Sequence, residues 1–220
     1  MPNWVYHCVE ATGDIKQLEQ YFVDNKFDFN TLIPCPPEIS QTEISTDTIL
    51  GMEALGYDYS LKGGEPLFVG IQNSLSNHLK QPFDNITFHK VEDLSEHIQE
   101  KYPDCIKKAE KILECYKKYG YAEWFSWGQR FWGTKWNASD SHIRTQTNDK
   151  LVFYFQTPWN TPRPVLEQLV NLHRDIDFTI YCYEESHDFC YVIEIKDKKL
   201  THQMERQDGA LLKKILKKFQ

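Results

Sequence analysis

No run of apolar residues in this chain approaches the roughly 18 that would span a membrane. The opening MPNWVYHCVEATGD has no basic segment followed by an apolar core, so no secretory leader is expected. The glycine-rich phosphate cradles GxGxxG and GxxxxGK[ST] are absent, as are the nucleophile elbow GxSxG and the zinc-binding HExxH. Their absence removes the motif-borne routes to dinucleotide binding, P-loop chemistry, serine hydrolysis and metalloproteolysis. Positive charge is also short: 25 Lys and Arg stand against 32 Asp and Glu, a net charge of −7. Duplex binding starts from a phosphate-neutralising basic surface, so nucleic acid is not expected as a general partner. No CxxC pair, internal repeat or low-complexity segment occurs either.

The chain does have rings and length. Aromatics make up 14% of its 220 residues, enough to dominate both a core and any binding surface. That length supports one large domain or two small ones without help from metals or disulfides. The six cysteines (Cys8, Cys35, Cys105, Cys115, Cys182 and Cys190) read as reduced and mostly buried in a cytoplasmic protein of its host cell. Asn85 and Asn137 begin N-x-[ST] sequons, which carry no chemistry without secretion.

Periodicity orders the rest. WVYHCVEA (residues 4–11) alternates as a strand, with Trp4, Tyr6 and Cys8 on one face and Val5, His7 and Val9 on the other. After Gly13, with Asp14 as its cap, Ile15, Leu18, Tyr21 and Phe22 fit one face of a helix. FDFNTLIP, residues 27–34, then reads as a second strand. Residues 40–88 mix helix-compatible runs with loops such as LKGGEP. Residues 92–118 are helical with a break near Pro103, and Ile106, Ala109, Ile112, Leu113 and Tyr116 make the stripe expected to be buried. Trp124, Trp127 and Phe131 share a further helical face, and Gly133 is placed to end that helix in a left-handed conformation. HIRTQT and KLVFYFQT read as a hairpin around Asn148–Asp149. Thr161 is placed to cap a helix with Leu166, Leu169, Val170 and His173 inside. DFTIYCYEE and DFCYVIEIKD are two more strands, and GALLKKILKKFQ is an amphipathic basic helix. The expected fold is α+β: a ferredoxin-like antiparallel sheet with helices on one face, formed by residues 1–34 and 135–220. A largely helical insertion spans residues 35–134.

Four stretches carry a resemblance. MPNW, IPCPPE (residues 33–38), WGTKWNA (132–138) and FQTPWNTP (155–162) occur in this order. Together they resemble the YubB-type proteins encoded by phages and plasmids, WGTKWNA being the specific element. That resemblance implies a ferredoxin-like domain, a name for geometry and not for an iron–sulfur cluster, and a setting in mobile-element biology. It supplies no catalytic residues. One departure is Val5, where members often have cysteine after MPNW.

The polar and aromatic mix in WGTKWNA and FQTPWNTP makes Trp132, Lys135, Trp136, Asn137, Thr157 and Trp159 the candidate ligand-binding residues. Flat rings stack on planar ligands for about 1–3 kcal/mol each, and Lys135 can meet a phosphate. The competing reading makes the tryptophans a packing joint between sheet and insertion. If the stretch is extended, Lys135 and Asn137 share one face and Trp136 the other. Cys182, Glu184, His187 and Cys190 are zinc-ligand types in a spacing that matches no standard module. They meet only if the intervening turn puts both cysteines on one face. Cys8 is a candidate nucleophile with nothing local to activate it. The sequence therefore points to binding and not catalysis, with no metal, cofactor or membrane. The partner expected is a host defence protein or a nucleotide signal. The alternatives are an enzyme acting on a small nucleotide or nucleic acid, and a nucleic-acid-binding accessory protein gripping through the lysines of the last helix.

Overall fold

The computed structural model describes residues 2–55, 91–205 and 209–219. The LKGGEP loop and the Asn85 sequon lie outside them. The chain divides into two compact units, Met1–Cys35 with Trp127–Gln220, and Pro36–Ser126. Eight strands are described: β1 (Trp4–Thr12), β2 (Phe22–Val23), β3 (Lys26–Phe27), β4 (Ser139–Gln146), β5 (Lys150–Pro158), β6 (Asp177–Glu184), β7 (Cys190–Lys196) and β8 (Lys199–Glu205). The helices are α1 (Pro37–Ser40), α2 (Thr46–Ala54), α3 (Val91–Lys101), α4 (Pro103–Tyr119), α5 (Trp124–Phe131), α6 (Arg163–Leu172) and α7 (Ala210–Leu216). None is long and apolar enough to cross a membrane among the described residues.

In the first unit one antiparallel sheet runs β4-β5-β1-β6-β7-β8. Its first four strands have the ferredoxin-like order, with α6 as the second crossover and the insertion inside the first. β1 and β5 are central; β5 is buried almost continuously, while β1 alternates except at His7–Val9, where both faces are covered. One face carries Val5, His7 and Val9 of β1 opposite Thr157, Phe155 and Phe153 of β5. The rings of Phe22, Phe27 and Phe29 cover it. α6 lies on this side through buried Val165, Leu166 and Leu169. The C-terminal helix α7 closes the other face: Leu212 and Ile215 pack on Cys8, Tyr154, Tyr181 and Val192.

Three local expectations change. Ile15–Tyr21 is a 3-10 helix whose side-chain cap is missing at Asp14. Its buried residues Ile15, Leu18 and Tyr21 recur every three positions, which is the 3-10 period and not the α period. FDFNTLIP holds only the last residue of β3 and a 3-10 turn at Phe29–Thr31. Two of its backbone donors go to side chains and not to a neighbouring strand: Ser141 Oγ accepts from Phe27 N–H at 2.9 Å, and Asn137 Oδ1 from Phe29 N–H at 2.8 Å. Thr161 does not cap α6, because its hydroxyl is taken by a buried cluster with Cys182 and Tyr191. β8 adds a strand that the pattern did not announce, joined to β7 by a two-residue turn in which Asp197 and Lys198 both have positive φ.

The described part of the second unit is helical. α2 and α4 pack through Met52, Ala109 and Ile112. The buried stripe of α4 is Cys105, Ala109, Ile112 and Cys115, with Tyr116 59% exposed, so the helix is rotated from the expected face. The chain returns to the first unit at Trp127, inside α5, where residue 135 was expected to begin it.

Candidate binding surface

The WGTKWNA stretch leaves α5 through a left-handed turn. Trp132 N–H still bonds to Gly128 O at 2.8 Å, and Gly133 follows with φ 79°. A Cβ at Gly133 would sit 2.8 Å from Pro164 Cδ, so both the backbone angle and the space there require glycine. The next residues bend instead of extending, and this decides where each candidate side chain goes.

The six candidates separate into two groups. Trp132 is buried, its indole N–H donating to Ile33 O at 2.9 Å and its ring set edge-on to Trp127 and Phe29. Asn137 is spent on the fold. Its Oδ1 accepts from Phe29 and Ala138 N–H, and its Nδ2 donates to Asp28 at 2.6 Å. Thr157 is fully buried and donates to Asn160 O at 2.7 Å. Lys135, Trp136 and Trp159 gather at the surface. The Trp136 and Trp159 ring centroids are 6.2 Å apart, and Lys135 Nζ lies 5.1 and 5.4 Å from them. Lys135 therefore sides with Trp136 and not with Asn137, because the segment is bent where an extended chain would have alternated.

Trp4 completes this group, 6.1 Å from Trp136. The sequence placed Trp4 in a strand and left it out of the site; its place in the MPNW landmark was the available signal. The three tryptophans come from the start of β1, the loop before β4 and the residue after β5. Trp159 has φ 59° and its N–H bonds to Asn3 O at 2.8 Å, a left-handed conformation that sets its ring outward, 42% exposed. A non-glycine residue held in that region costs of order 1–3 kcal/mol and is retained only where its surroundings enforce it.

The other candidate chemistry does not assemble. Cys182 pairs with Tyr191 and Tyr183 with Cys190, so Cys182 and Cys190 lie on opposite faces of the sheet. Glu184 accepts from Ser186 and Asp188 N–H and shapes the turn. No group of three or more His, Cys, Asp or Glu is arranged for a metal ion among the described residues. Burial pushes the Cys8 thiol up to about 11 and the Cys182 thiol up to about 12, which leaves both protonated and poor nucleophiles at neutral pH.

This geometry stands beside three comparisons. Residues 131–211 match the family described as the ferredoxin-like domain in Api92-like protein. The match runs from the last residue of α5 into α7, and it takes in five of the six sheet strands. A crystal structure of the protein Api92 from Yersinia pseudotuberculosis aligns over 96% of this chain and 99% of its own, at 10% identity and a TM-score of 0.46. No curated protein matches the chain.

Proposed function

We propose that this chain is a non-enzymatic binding protein that docks a protein partner through Trp4, Trp136 and Trp159, with Lys135 at their centre. One observation supports this above the rest: three elements far apart in sequence bring three tryptophans together at a surface. Tryptophan is the residue most enriched at the energetic centres of protein interfaces, where it fills a pocket of the partner. The rings are tilted 60° and 53° to one another, so they form an uneven knob and not the parallel walls of a slot for a flat ligand. Lys135 over two ring faces is worth about 0.5–1 kcal/mol while exposed and more once a partner excludes water. The resemblance to YubB-type proteins gives that partner a source: a host component such as a defence protein, met in the host cytoplasm by a phage or plasmid product.

The test is to purify the protein from an infected or defence-bearing host, identify what accompanies it, and rebuild the complex from pure components. Trp159→Ala is expected to weaken that complex by about 2 kcal/mol, roughly thirtyfold. Lys135→Ala is expected to weaken it less. If both variants bind the pure partner as tightly as the parent chain, the surface is the wrong one. A released small molecule at one per chain, with no protein partner, would replace this reading with that of a nucleotide sponge.

A further inference from the structure

A second site lies on the same sheet face and shares no residue with the tryptophan group. It is a groove of about 460 Å³ beside the C-terminal tail, within the size range of small-molecule pockets. Its floor is tyrosine. Tyr6 of β1 and Tyr183 of β6 lie parallel, centroids 4.8 Å apart and 8° between planes. Tyr154 of β5 continues the floor, and exposed His142 of β4 stacks on it at 5.3 Å and 12°. Phe219 stands edge-on to Tyr183 at 4.9 Å and to Tyr154 at 5.5 Å, forming one wall.

The polar side of the groove is built by two irregularities in β4. The register shifts between Ser139 and His142 and again between Ile143 and Thr145. Asp140 lies in the first, with φ 47°, and Arg144 in the second. Bulges of this kind re-aim side chains and concentrate beside functional sites. Asp140 Oδ2 accepts from Gln156 Nε2 at 2.9 Å. Arg144 Nη1 donates to Tyr154 OH at 2.7 Å and to Lys218 O at 2.9 Å. Its Nε and Nη2 donors have no hydrogen-bond partner among the described residues. An amide–carboxylate pair thus stands at one end of the groove and a guanidinium at the other. Four residues separate them along the strand, at most roughly 13 Å.

We propose that this groove binds a nucleotide. Its base would stack on the exposed face of His142 beside the tyrosines, its ring edge would meet Gln156 and Asp140, and its phosphate would meet Arg144. A planar base and an anion held apart by a sugar match an aromatic floor with a donor–acceptor pair at one end and a cation at the other. Free nucleotides and the exposed end of a single strand offer the same chemistry. The proposal is independent of the tryptophan surface.

The experiment is calorimetric and NMR titration of the full chain. The probes are the four ribonucleoside monophosphates, their nucleosides, and single-stranded octamers of each base. At least one monophosphate is expected to bind and to shift signals of Tyr6, His142 and Arg144. Arg144→Gln is expected to weaken the monophosphate about tenfold while leaving the nucleoside unchanged. His142→Ala, at an exposed position, is expected to weaken both. An octamer binding at least tenfold tighter than its monophosphate assigns the groove to single strands, and equal binding assigns it to free nucleotides. Failure of every probe at millimolar concentration overturns the proposal. So does binding that both variants leave intact, or shifts confined to the indoles of Trp4, Trp136 and Trp159.

Discussion

His7 sits fully buried on the central strand, its ring parallel to Phe155 at 4.5 Å and its Nε2 3.4 Å from Thr161 Oγ1. Burial lowers its pKa to about 3 in the folded chain, against 6.5 when unfolded. The unfolded chain therefore binds a proton below pH 6.5 that the folded chain refuses until about pH 3, and stability falls with pH across that window. Between pH 7 and pH 5 this residue accounts for about 2 kcal/mol of lost stability. Burial lowers His173 as well, so the measurement is a difference: urea unfolding of the parent chain and of His7→Phe at both pH values. The parent should lose more on acidification, and equal losses would show that His7 is protonated in the folded state. The face that His7 occupies was legible from alternation alone. Its neighbours were not, because Thr161 and Cys182 come from other elements more than 150 positions away in sequence. The same limit applies at the surface. Trp132, Trp136 and Trp159 are equally apolar in sequence, and only the left-handed turns at Gly133 and Trp159 decide which is buried.

At the scale of elements, α2 and α4 meet at a glycine. A Cβ on Gly51 would fall 2.0 Å from Cys105 O and 2.9 Å from Ala109 Cβ, so the two backbones touch there. Gly51→Ala is expected to push the pair apart at a cost of about 1–3 kcal/mol. Thermal unfolding of the variant checks this, and an unchanged or higher melting temperature would mean that the helices are not in contact at that point. The helices and most of the strands were readable from periodicity, down to the glycine that ends α5. Besides β8, two further elements were not. The 3-10 segment Ile15–Tyr21 has a spacing that also satisfies an α-helix over its first turns. The Phe27–Ile33 stretch looked like a strand because Phe27 and Phe29 alternate. It is a turn because the side chains of Ser141 and Asn137 provide the acceptors that a neighbouring strand would have provided.

At the scale of the whole molecule, the sheet needs cover on both faces, and α7 covers one of them. Leu212 and Ile215 sit on Cys8, Cys190 and the aromatic floor around Tyr154 and Tyr181, while Lys218 reaches Glu10 at 2.7 Å. Ile215 is fully buried. Ile215→Ala is expected to cost about 2–5 kcal/mol, and to open the helix often enough for Cys8 and Cys190 to react with a thiol reagent. The readout is the labelling rate of the native chain, in which five of the six thiols are buried. A variant that labels no faster than the parent would show that α7 is not what shields them.

The sequence by itself determined the antiparallel ferredoxin-like plan and the amphipathic character of its last helix. These follow from periodicity and turn chemistry, which act over a few residues. Tertiary structure alone decided that Trp4 joins Trp136 and Trp159, that Asn137 holds the fold, and that the irregularities in β4 set Asp140, His142 and Arg144 around a tyrosine floor. The physical reason is distance along the chain. Asn137 and Phe29 are 108 positions apart, yet one hydrogen bond between them settles the shape of both segments.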